Sequence, residues 1–443
     1  MDEYLKLLLE QIRCTKARPY IKQELQDHME DQIAENMKAG MDHEQAEKEA
    51  VRDMGDPVET GISLDSVHRP QVAWKLLGII ILISIAGVLI HAGIARKISE
   101  NSAAGSDRYV FHVVIGLAVM MILYLLDYTV LARFSKIIAV VLLSACLVTL
   151  LGGYQLNGAR YFIVLPGGRG ISMQTLMMFY VPIYGAILYK YRDGGFPALL
   201  KSIVWLIIPV FITFRMPNLI VAIIMMISML IQLTVAILKG WFKISVKKTI
   251  VSLWAVFMFL PIMLLFVMYT FHLLAEYQEA RIRSFFSASG EGFYLTSILR
   301  TFSKDILFVG NSGNDVIGSL PEFNSDYIFS YILNSYGSIA GIVVVAVLAV
   351  LVMFIFGASI KQKNELGMVM GFGCGMIILL NILLNLLGAL GIIPPASSFL
   401  PFLSIGRSNI LLCYALVGII MSIYRYKDVY PGKLERITCG SNE

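Results

Sequence analysis

The sequence predicts an all-α, polytopic membrane protein with about ten transmembrane helices and a small helical domain in front of them. Residues classed as hydrophobic make up 57% of the 443 residues, and the charged residues crowd into a few short stretches. Apolar runs recur at about the length that a bilayer requires. This composition excludes a soluble fold with one large core. The formal net charge of +5 is modest, and it fits loops near anionic lipid better than nucleic-acid binding.

Residues 1–68 precede the first apolar run and predict a small, acidic helical domain that we expect to be cytoplasmic. Apolar residues recur at helical spacing in two runs, 4–12 and 21–37. A third run, 42–54, ends at Gly55-Asp56-Pro57, a sequence that predicts a helix stop. No cluster in these runs is typical of catalysis. We therefore expect a docking or regulatory domain, with a merely solvated extension as the alternative.

Ten apolar segments follow, and the first of them starts only near Val72. Because no continuous apolar run precedes it, no signal peptide is expected. The predicted membrane domain covers 72–427, and 428–443 form a cytoplasmic tail. Most segments have the length of a membrane span, and the fourth and fifth are short. The predicted spans are 72–94, 109–131, 137–153, 172–189, 199–214, 217–238, 249–273, 327–357, 366–389 and 408–424.

The distribution of Lys and Arg predicts the orientation of these spans. With the N-terminus inside, the short inner turns are dense in positive charge, as at Lys239, Lys243, Lys247 and Lys248. The arginines on the opposite side are spread over much longer loops. We therefore expect both termini to be cytoplasmic and Asp326 to lie outside.

One long connection, about residues 274–326, interrupts the series of short turns. Loops of this length in a compact domain are usually functional or disordered. Its aromatic residues are interspersed with cations such as Arg281 and Arg300, a composition that suits an interfacial segment on the outer leaflet. Such a segment would contact lipid headgroups or a lipid-linked pyrophosphate. The alternative is an ordinary interfacial belt.

The end of this loop and the start of the next span read LPEFNSDYIFSYILNSYGSIAG, from Leu320 to Gly341. A polar run that contains Asp326 changes abruptly to an apolar and aromatic run at Tyr327. A carboxylate at the mouth of a membrane span is costly unless it is paired, hydrated or used in function. Asp326 is therefore the candidate catalytic residue. The alternative is that it only caps the helix that follows.

The run LPEFNSDYIF resembles the LPE-x-x-(S/T)-D-(F/Y)-I-F signature of the SEDS family, the FtsW-, RodA- and SpoVE-type membrane proteins of bacterial wall synthesis. In that family the Asp of this run is essential for glycosyl transfer, and it corresponds to Asp326. The resemblance extends from about Gln71 to Lys427.

Further motifs of that family are present in altered form. Arg160 stands in a run similar to N-G-A-R-R-W, and Gln174 in one similar to F-Q-P-S-E. Asn218 replaces the Asp of a run similar to Q-P-D-L-G. Ser404 stands in a run similar to L-P-F-I-S-Y-G-G-S, in which Arg407 replaces a Gly. The resemblance implies that these five residues bind substrate. The Glu of the second motif and the Lys that follows it are missing, which predicts a more apolar central cavity.

What the resemblance implies is a peptidoglycan glycosyltransferase that polymerises lipid II, an undecaprenyl-linked precursor, at the outer face of the cytoplasmic membrane. This activity would serve cell-wall synthesis in cell shape or cell division. Asp326 would act at the acceptor hydroxyl, as a base or as the ligand of Mg²⁺ or Mn²⁺. Arg160, together with Arg407 or Arg300, would neutralise the pyrophosphate. As in the family, the implied partner is a single-span transpeptidase, a class B penicillin-binding protein.

Two other functions stay open at this point. A flippase for the lipid-linked precursor would need the polar cavity more than Asp326. A degenerate, non-catalytic relative would act as a scaffold or regulator through residues 1–68. The altered motifs favour the second of these, and the retained Asp326 opposes it.

Several small or polar residues within the spans are expected to hold helices together. Asp127, Asn381 and Asn385 lie at predicted membrane depth, where such side chains more often join helices than take part in chemistry. Gly337 and Gly341 are expected to let helices pack closely.

Overall fold

The computed structural model describes residues 1–98, 103–156, 159–161, 164–165, 169–170, 172–216, 219–271, 308, 323–393 and 398–432. Most of the predicted long connection, 274–326, lies outside these residues, except for Phe308 and 323–326.

Four helices precede the membrane helices: α1 (Asp2–Gln11), α2 (Arg18–Lys38), α3 (His43–Asp53) and α4 (Pro57–His68). Their shared core contains buried residues that include Leu5, Leu8 and Met29. The helix stop predicted at Gly55-Asp56-Pro57 is also a helix start. Asp56 Oδ1 accepts hydrogen bonds from the backbone N–H groups of the first turn of α4, at 2.8 and 2.9 Å. Proline is well suited to the first helical position that follows such a cap.

The remainder of the described chain is predominantly helical, which confirms the predicted polytopic all-α fold. Eight of the described helices are long and apolar enough to cross a membrane, and a count of about ten stays a prediction. The helices are α5 (Trp74–Ile98), α6 (Ala103–Leu125), α7 (Tyr128–Arg133), α8 (Ser135–Gly152), α9 (Met173–Met177), α10 (Tyr180–Lys190), α11 (Gly195–Arg215), α12 (Leu219–Leu238), α13 (Val246–Thr270), α14 (Ile328–Ile360), α15 (Glu365–Ala389) and α16 (Arg407–Arg425).

Two predicted spans are broken by turns that hydropathy does not reveal. The second prediction, 109–131, is wrong at its end, because α6 stops at Leu125 and the side chain of Asp127 caps the short helix α7 through a hydrogen bond from Thr129 N–H at 2.9 Å. The fourth prediction, 172–189, is two helices, α9 and α10. Apolar residues continue through both breaks, so the pattern reads as one segment.

Helices α12, α15 and α16 form the interior of the membrane domain. In their apolar segments 67% to 78% of residues are buried, compared with 22% to 33% for α5, α6, α8, α11 and α14. Helix α10 is buried from Tyr180 to Tyr189. Helix α6 packs along α16, and α10 and α14 pack along α15.

The connection from α8 to α9 contains two very short antiparallel hairpins. Strand β1 (Tyr154–Leu156) pairs with β2 (Ala159–Tyr161), and β3 (Val164–Leu165) pairs with β4 (Arg169–Gly170). Short connections reverse the chain between most successive membrane helices. One side of the bundle therefore carries α1–α4 and is called here the prefix side. The opposite side, which carries both hairpins and the start of α14, is called the Asp326 side.

Helix α14 has a kink at Gly337, which has φ +87° and ψ 175°. Only glycine adopts such a backbone conformation without strain. A Cβ at Gly341 would lie 2.3 Å from the side chain of Leu333, in the first part of the same helix. The expectation that these glycines serve close packing between helices is therefore corrected, because they accommodate a kink within one helix.

The prefix helices contact the membrane domain through a buried carboxylate. Asp127 is only 4% exposed, and its Oδ2 lies 2.7 Å from Lys16 Nζ and accepts a hydrogen bond from Tyr430 OH. Burial opposes the charge on Lys16, but the hydrogen bond and attraction of Asp127 outweigh it and raise the pKa of Lys16. Asp127 is thus not glue between membrane helices at membrane depth, as its sequence context suggested. It joins α1–α4 to the prefix side of the bundle.

Candidate active site

The turn that carries Asp326 lies immediately before α14, on the Asp326 side of the bundle. Helix α14 begins at Ile328, and its cap residue is Tyr327, which makes no side-chain cap hydrogen bond. Asp326 is therefore one residue outside the cap position. Its carboxylate is partly buried, and Ser325 Oγ contacts its Oδ1 at 3.5 Å, the weak end of the hydrogen-bonding range.

The backbone of this turn is fixed by three consecutive hydrogen bonds. Ile405 N–H donates to the carbonyl of Asn324 at 3.0 Å, and Ser404 Oγ donates to that of Ser325 at 2.7 Å. Asn385 Nδ2, on α15, donates to the carbonyl of Asp326 at 2.8 Å. The position of the Asp326 carboxylate is therefore set by α15 and by the loop that precedes α16. Such pre-organisation is what a catalytic group requires.

The loop from Leu400 to Gly406 is itself held in a strained conformation. Phe402 has φ +66°, in the left-handed region that a bulky residue rarely adopts. Its carbonyl accepts a hydrogen bond from Tyr109 OH, and His91 Nε2 lies 2.8 Å from the carbonyl of Leu403. Strain of this kind costs on the order of 1–3 kcal/mol and persists only where the surroundings enforce it.

His91 and Tyr109 hold the loop that contains Ser404, and the sequence analysis missed them. They lie on α5 and α6, with ring centroids 4.1 Å apart, and both contact the loop that holds Ser404. A histidine inside an apolar span was the available signal, since polar residues there are rare and usually have a role. The sequence alone does not show which loop they contact.

Gln174 and Arg407 lie on helices whose starts meet at this side of the bundle. Ser172 N–H, at the cap of α9, donates to Ser408 Oγ, in the first turn of α16, at 3.1 Å. Arg407 is the first residue of α16. Gln174 is only 6% exposed, and its Nε2 has no hydrogen-bond partner among the described residues. The structure therefore brings the two motifs together through the turn at Ser172.

The structure describes the other two predicted substrate residues only partly or not at all. Arg160 lies in β2, opposite Gln155 of β1, on the Asp326 side, and its side chain is outside the described part of the chain. Asn218 is outside the described residues altogether. Ser404 thus contacts the residue next to Asp326, and Gln174 and Arg407 share the same end of the bundle.

Four of the buried polar atoms that have no partner in the described part of the chain belong to helices that reach this side of the bundle. Besides Gln174 Nε2, they include Tyr331 OH on α14 and the Oδ1 atoms of Asn381 and Asn385 on α15. A buried polar atom without a partner costs about 1–3 kcal/mol. Each of these atoms can bond a water molecule or a polar group of a ligand.

The donor set for a metal ion at this turn is small. No group of three or more His, Cys, Asp or Glu residues able to hold a metal exists among the described residues. The carbonyls of Asn324, Ser325 and Asp326 are already hydrogen-bonded. A cation here would depend on the Asp326 carboxylate together with oxygens from water or substrate. Mg²⁺ fits this arrangement, because it is often held by one or two carboxylates and the phosphates of a substrate.

Comparison with known proteins gives a family match and full-length relatives. The family model for FtsW, RodA and SpoVE, described as "Cell cycle protein", matches residues 69–429. A protein of Enterococcus hirae named "Probable peptidoglycan glycosyltransferase FtsW" is 26% identical over 376 residues, which cover 80% of this chain and 92% of the relative. A protein of the same name from Aliivibrio salmonicida is 23% identical over 404 residues, which cover 86% of this chain and 96% of that relative.

Two solved structures have a similar fold. A chain from a peptidoglycan synthase complex, studied for the structural coordination of polymerization and crosslinking, matches with a TM-score of 0.65 at 16% identity, over 80% of this chain and 98% of that one. The Rod shape determining protein RodA of Thermus thermophilus matches with a TM-score of 0.57 at 15% identity. The match covers 80% of this chain and 97% of RodA. At these identities the likeness concerns the fold.

Proposed function

Because this chain belongs to the FtsW/RodA/SpoVE family of cell cycle proteins, we propose that it is a peptidoglycan glycosyltransferase that polymerises lipid II. The names of its full-length relatives support this activity. The observation that carries the proposal is the turn at Asp326, whose backbone is fixed by Ser404 and Asn385 just outside the helix cap. A residue that only began a helix would not require such support.

The reaction joins the sugars of two lipid-linked molecules. The 4-hydroxyl oxygen of the acceptor forms a bond to the anomeric carbon of the donor, and the bond from that carbon to the pyrophosphate breaks. The polyprenyl pyrophosphate leaves with the electron pair. Asp326 takes the proton of the hydroxyl, the role of a general base. Arg160 and Arg407 lie on the same side and stabilise the negative charge of the leaving group.

A divalent cation, Mg²⁺ or Mn²⁺, completes this proposal. Asp326 is the described side chain that would hold it, with substrate phosphate oxygens as the remaining ligands. When bound, such an ion supplies positive charge at the pyrophosphate. Exchange into chelator should therefore abolish polymerisation and leave the fold unchanged, since no described structural contact depends on the ion.

The protein is a multi-pass membrane protein, and the orientation is part of the proposal. Lys239 directly follows α12, and Lys247 and Lys248 are in the first turn of α13, all on the prefix side. Such clusters of lysines beside a short turn face the cytoplasm. Both termini would then be cytoplasmic, with residues 1–68 as a prefix domain, 72–427 as the membrane domain and 428–443 as a tail. Asp326 would face the outside, where lipid II is polymerised.

The proposed partner is a class B penicillin-binding protein, which would crosslink the strands that this chain makes. The similarity to a chain from a peptidoglycan synthase complex supports this expectation. The partner belongs on the Asp326 side and along the outer helices, because the interior helices are already covered.

The experiment is polymerisation of labelled lipid II by the purified protein in liposomes, with and without the transpeptidase. Asp326→Asn is compared with wild type, and Asp193→Asn is the matched control. Asp193 is exposed on the prefix side and has φ +63°, which asparagine also tolerates. We expect glycan polymer from wild type and Asp193→Asn, and none from Asp326→Asn.

The same preparation separates the two other functions. A flippase would move lipid II across the liposome membrane, make no polymer and keep this activity in Asp326→Asn. A scaffold would do neither, and cells would tolerate Asp326→Asn but not removal of residues 1–68. Either result would contradict the glycosyltransferase.

A further inference from the structure

A cavity on the prefix side opens between α5, α14 and the segment after α16. Its volume is about 740 Å³, within the range of pockets that hold small ligands. It is remote from the turn at Asp326, because α14 crosses the whole membrane domain between the two. None of the sequence motifs that point to glycosyl transfer contributes to it. Its lining includes Lys75, Met353, Phe354, Gly357, Lys361 and Lys427.

The polar and apolar parts of this cavity are separated by depth. Lys75 is the second residue of α5, Lys361 directly follows α14, and Lys427 lies two residues after α16. Three lysines from three separate segments thus lie at one level, at the end of the membrane helices. Met353 and Phe354 lie deeper, about two turns back along α14. The cavity therefore has a cationic rim and an apolar floor.

The rim keeps a net positive charge. Lys75 and Lys361 are exposed, and neither has a carboxylate within 4.0 Å in the described part of the chain. Lys427 Nζ lies 3.6 Å from Asp428 Oδ2, but Asp428 is shared with Lys363, at 4.0 Å. Of the three rim lysines, only Lys427 therefore has a carboxylate nearby in the described part of the chain. The rim thus carries a net positive charge that attracts anions.

Aromatic residues place the rim at the membrane surface. Trp74 is 71% exposed beside Lys75, and Tyr424 lines the cavity and packs against the Lys427 ammonium, 4.9 Å from its ring centroid. Exposed Trp and Tyr side chains at the ends of membrane helices typically lie at the level of the headgroups. A ligand there meets phosphate groups at the rim and acyl chains below.

We propose that this cavity binds an anionic phospholipid from the adjoining leaflet, with its phosphate and charged headgroup among Lys75, Lys361 and Lys427. Its acyl chains lie against Met353, Phe354 and Gly357. Basic pockets between membrane helices bind acidic headgroups in this manner. A zwitterionic lipid is disfavoured, because its own ammonium group would face three lysines.

The test is lipid retention measured by native mass spectrometry on delipidated full-length protein. Phosphatidylglycerol, phosphatidylcholine and inorganic phosphate are added in separate arms, and thermal unfolding is followed in parallel. We expect one tightly retained phosphatidylglycerol, no comparable phosphatidylcholine, and no stabilisation by phosphate alone. The triple variant Lys75→Gln/Lys361→Gln/Lys427→Gln should weaken retention on the order of a hundredfold, because each lysine near an anionic headgroup contributes roughly a factor of five.

The matched control is Lys239→Gln/Lys247→Gln/Lys248→Gln, which removes three exposed lysines from the same side and none from the cavity. It should retain phosphatidylglycerol as wild type does. A second variant, Gly357→Phe, keeps every lysine and fills the floor, where a Cβ meets nothing within 4 Å. It should also lose the lipid. Equal retention of both lipids, an unaffected triple variant or Gly357→Phe, or stabilisation by phosphate alone would overturn the proposal.

Discussion

At the scale of single residues, the position of one carboxylate depends on hydroxyl and amide groups far along the chain. The carbonyls of Ser325 and Asp326 are engaged by Ser404 and Asn385, which are 79 and 59 residues away. The catalytic proposal for Asp326 therefore requires that these two act as positioning residues. Their loss should affect the reaction without removing any reacting group.

Ser404→Ala should lower the polymerisation rate about tenfold or more and destabilise the protein by about 1–3 kcal/mol. The hydroxyl donates to Ser325 O and accepts from Leu400 N–H, both at 2.7 Å, so its removal leaves two buried backbone groups without partners. The control is Ser202→Ala, whose hydroxyl donates only to Ala198 O within its own helix and should cost less than about 1 kcal/mol. The measurements are the polymerisation rate with lipid II and the thermal unfolding of both variants. Equal effects of the two changes would show that Ser404 has no special role.

The residue-level prediction from sequence succeeded where a motif carried it. Asp326 and Ser404 were identified by their local runs, and in the structure Ser404 donates to the carbonyl of Ser325, beside Asp326. Asn385 was expected only to hold helices together, and its contact with the turn could not be foreseen because it depends on how α15 faces that turn. His91 and Tyr109 were missed for the same reason, since their partners lie 312 and 293 residues away.

At the scale of elements, α14 connects the candidate site to the opposite side of the bundle and bends at one residue. Gly337→Ala should destabilise the protein by about 1–2 kcal/mol, because alanine at φ +87° is strained. Gly357→Ala on the same helix is the control. Its site is open and regular, so the change should be neutral or stabilising by up to about 1 kcal/mol. Thermal unfolding in detergent separates the two, and a Gly337→Ala variant as stable as the control would contradict the kink.

Hydropathy located the elements well and their interruptions poorly. Every predicted span overlaps a described helix, because the apolar runs have the length that a bilayer requires. The breaks at Asp127 and between α9 and α10 were not foreseen. The first lies at a single charged residue in an otherwise apolar run, and its role as a helix cap appears only in three dimensions. The second lies within an apolar run.

At the scale of the whole molecule, the ion pair between Lys16 and the buried Asp127 attaches the prefix helices to the membrane domain. Lys16→Met keeps the apolar stem and removes the cation from the buried Asp127. Breaking such a pair is strongly destabilising. Because Lys16 is 44% exposed, the expected loss is reduced to about 1–3 kcal/mol. Hydrogen exchange in α7 and in 426–430 should accelerate accordingly.

The control for this change is Lys48→Met, whose partner Glu44 is as exposed as the lysine itself. It should change the free energy of local opening, measured by hydrogen exchange, by less than about 0.5 kcal/mol. The pKa of Lys16 is raised above its ordinary value of 10.5, so its contribution is complete below that pH and is lost as the pH rises through the raised value. The attachment of the prefix helices to the membrane domain should therefore be constant near neutral pH and weaken only in strong alkali. Loss of attachment between pH 6 and 9 would contradict the role of Lys16.

The most direct measurement of the central claim compares lipid II binding with the initial rate of glycan polymerisation, for wild type and Asp326→Asn in the same membranes. If Asp326 is the general base, the variant binds lipid II with an affinity within about threefold of wild type, and its rate falls by about 10²–10⁴-fold. A variant that polymerises at the wild-type rate would contradict the assignment of Asp326. A wild type that binds lipid II and makes no polymer, with its transpeptidase present, would contradict the glycosyltransferase itself.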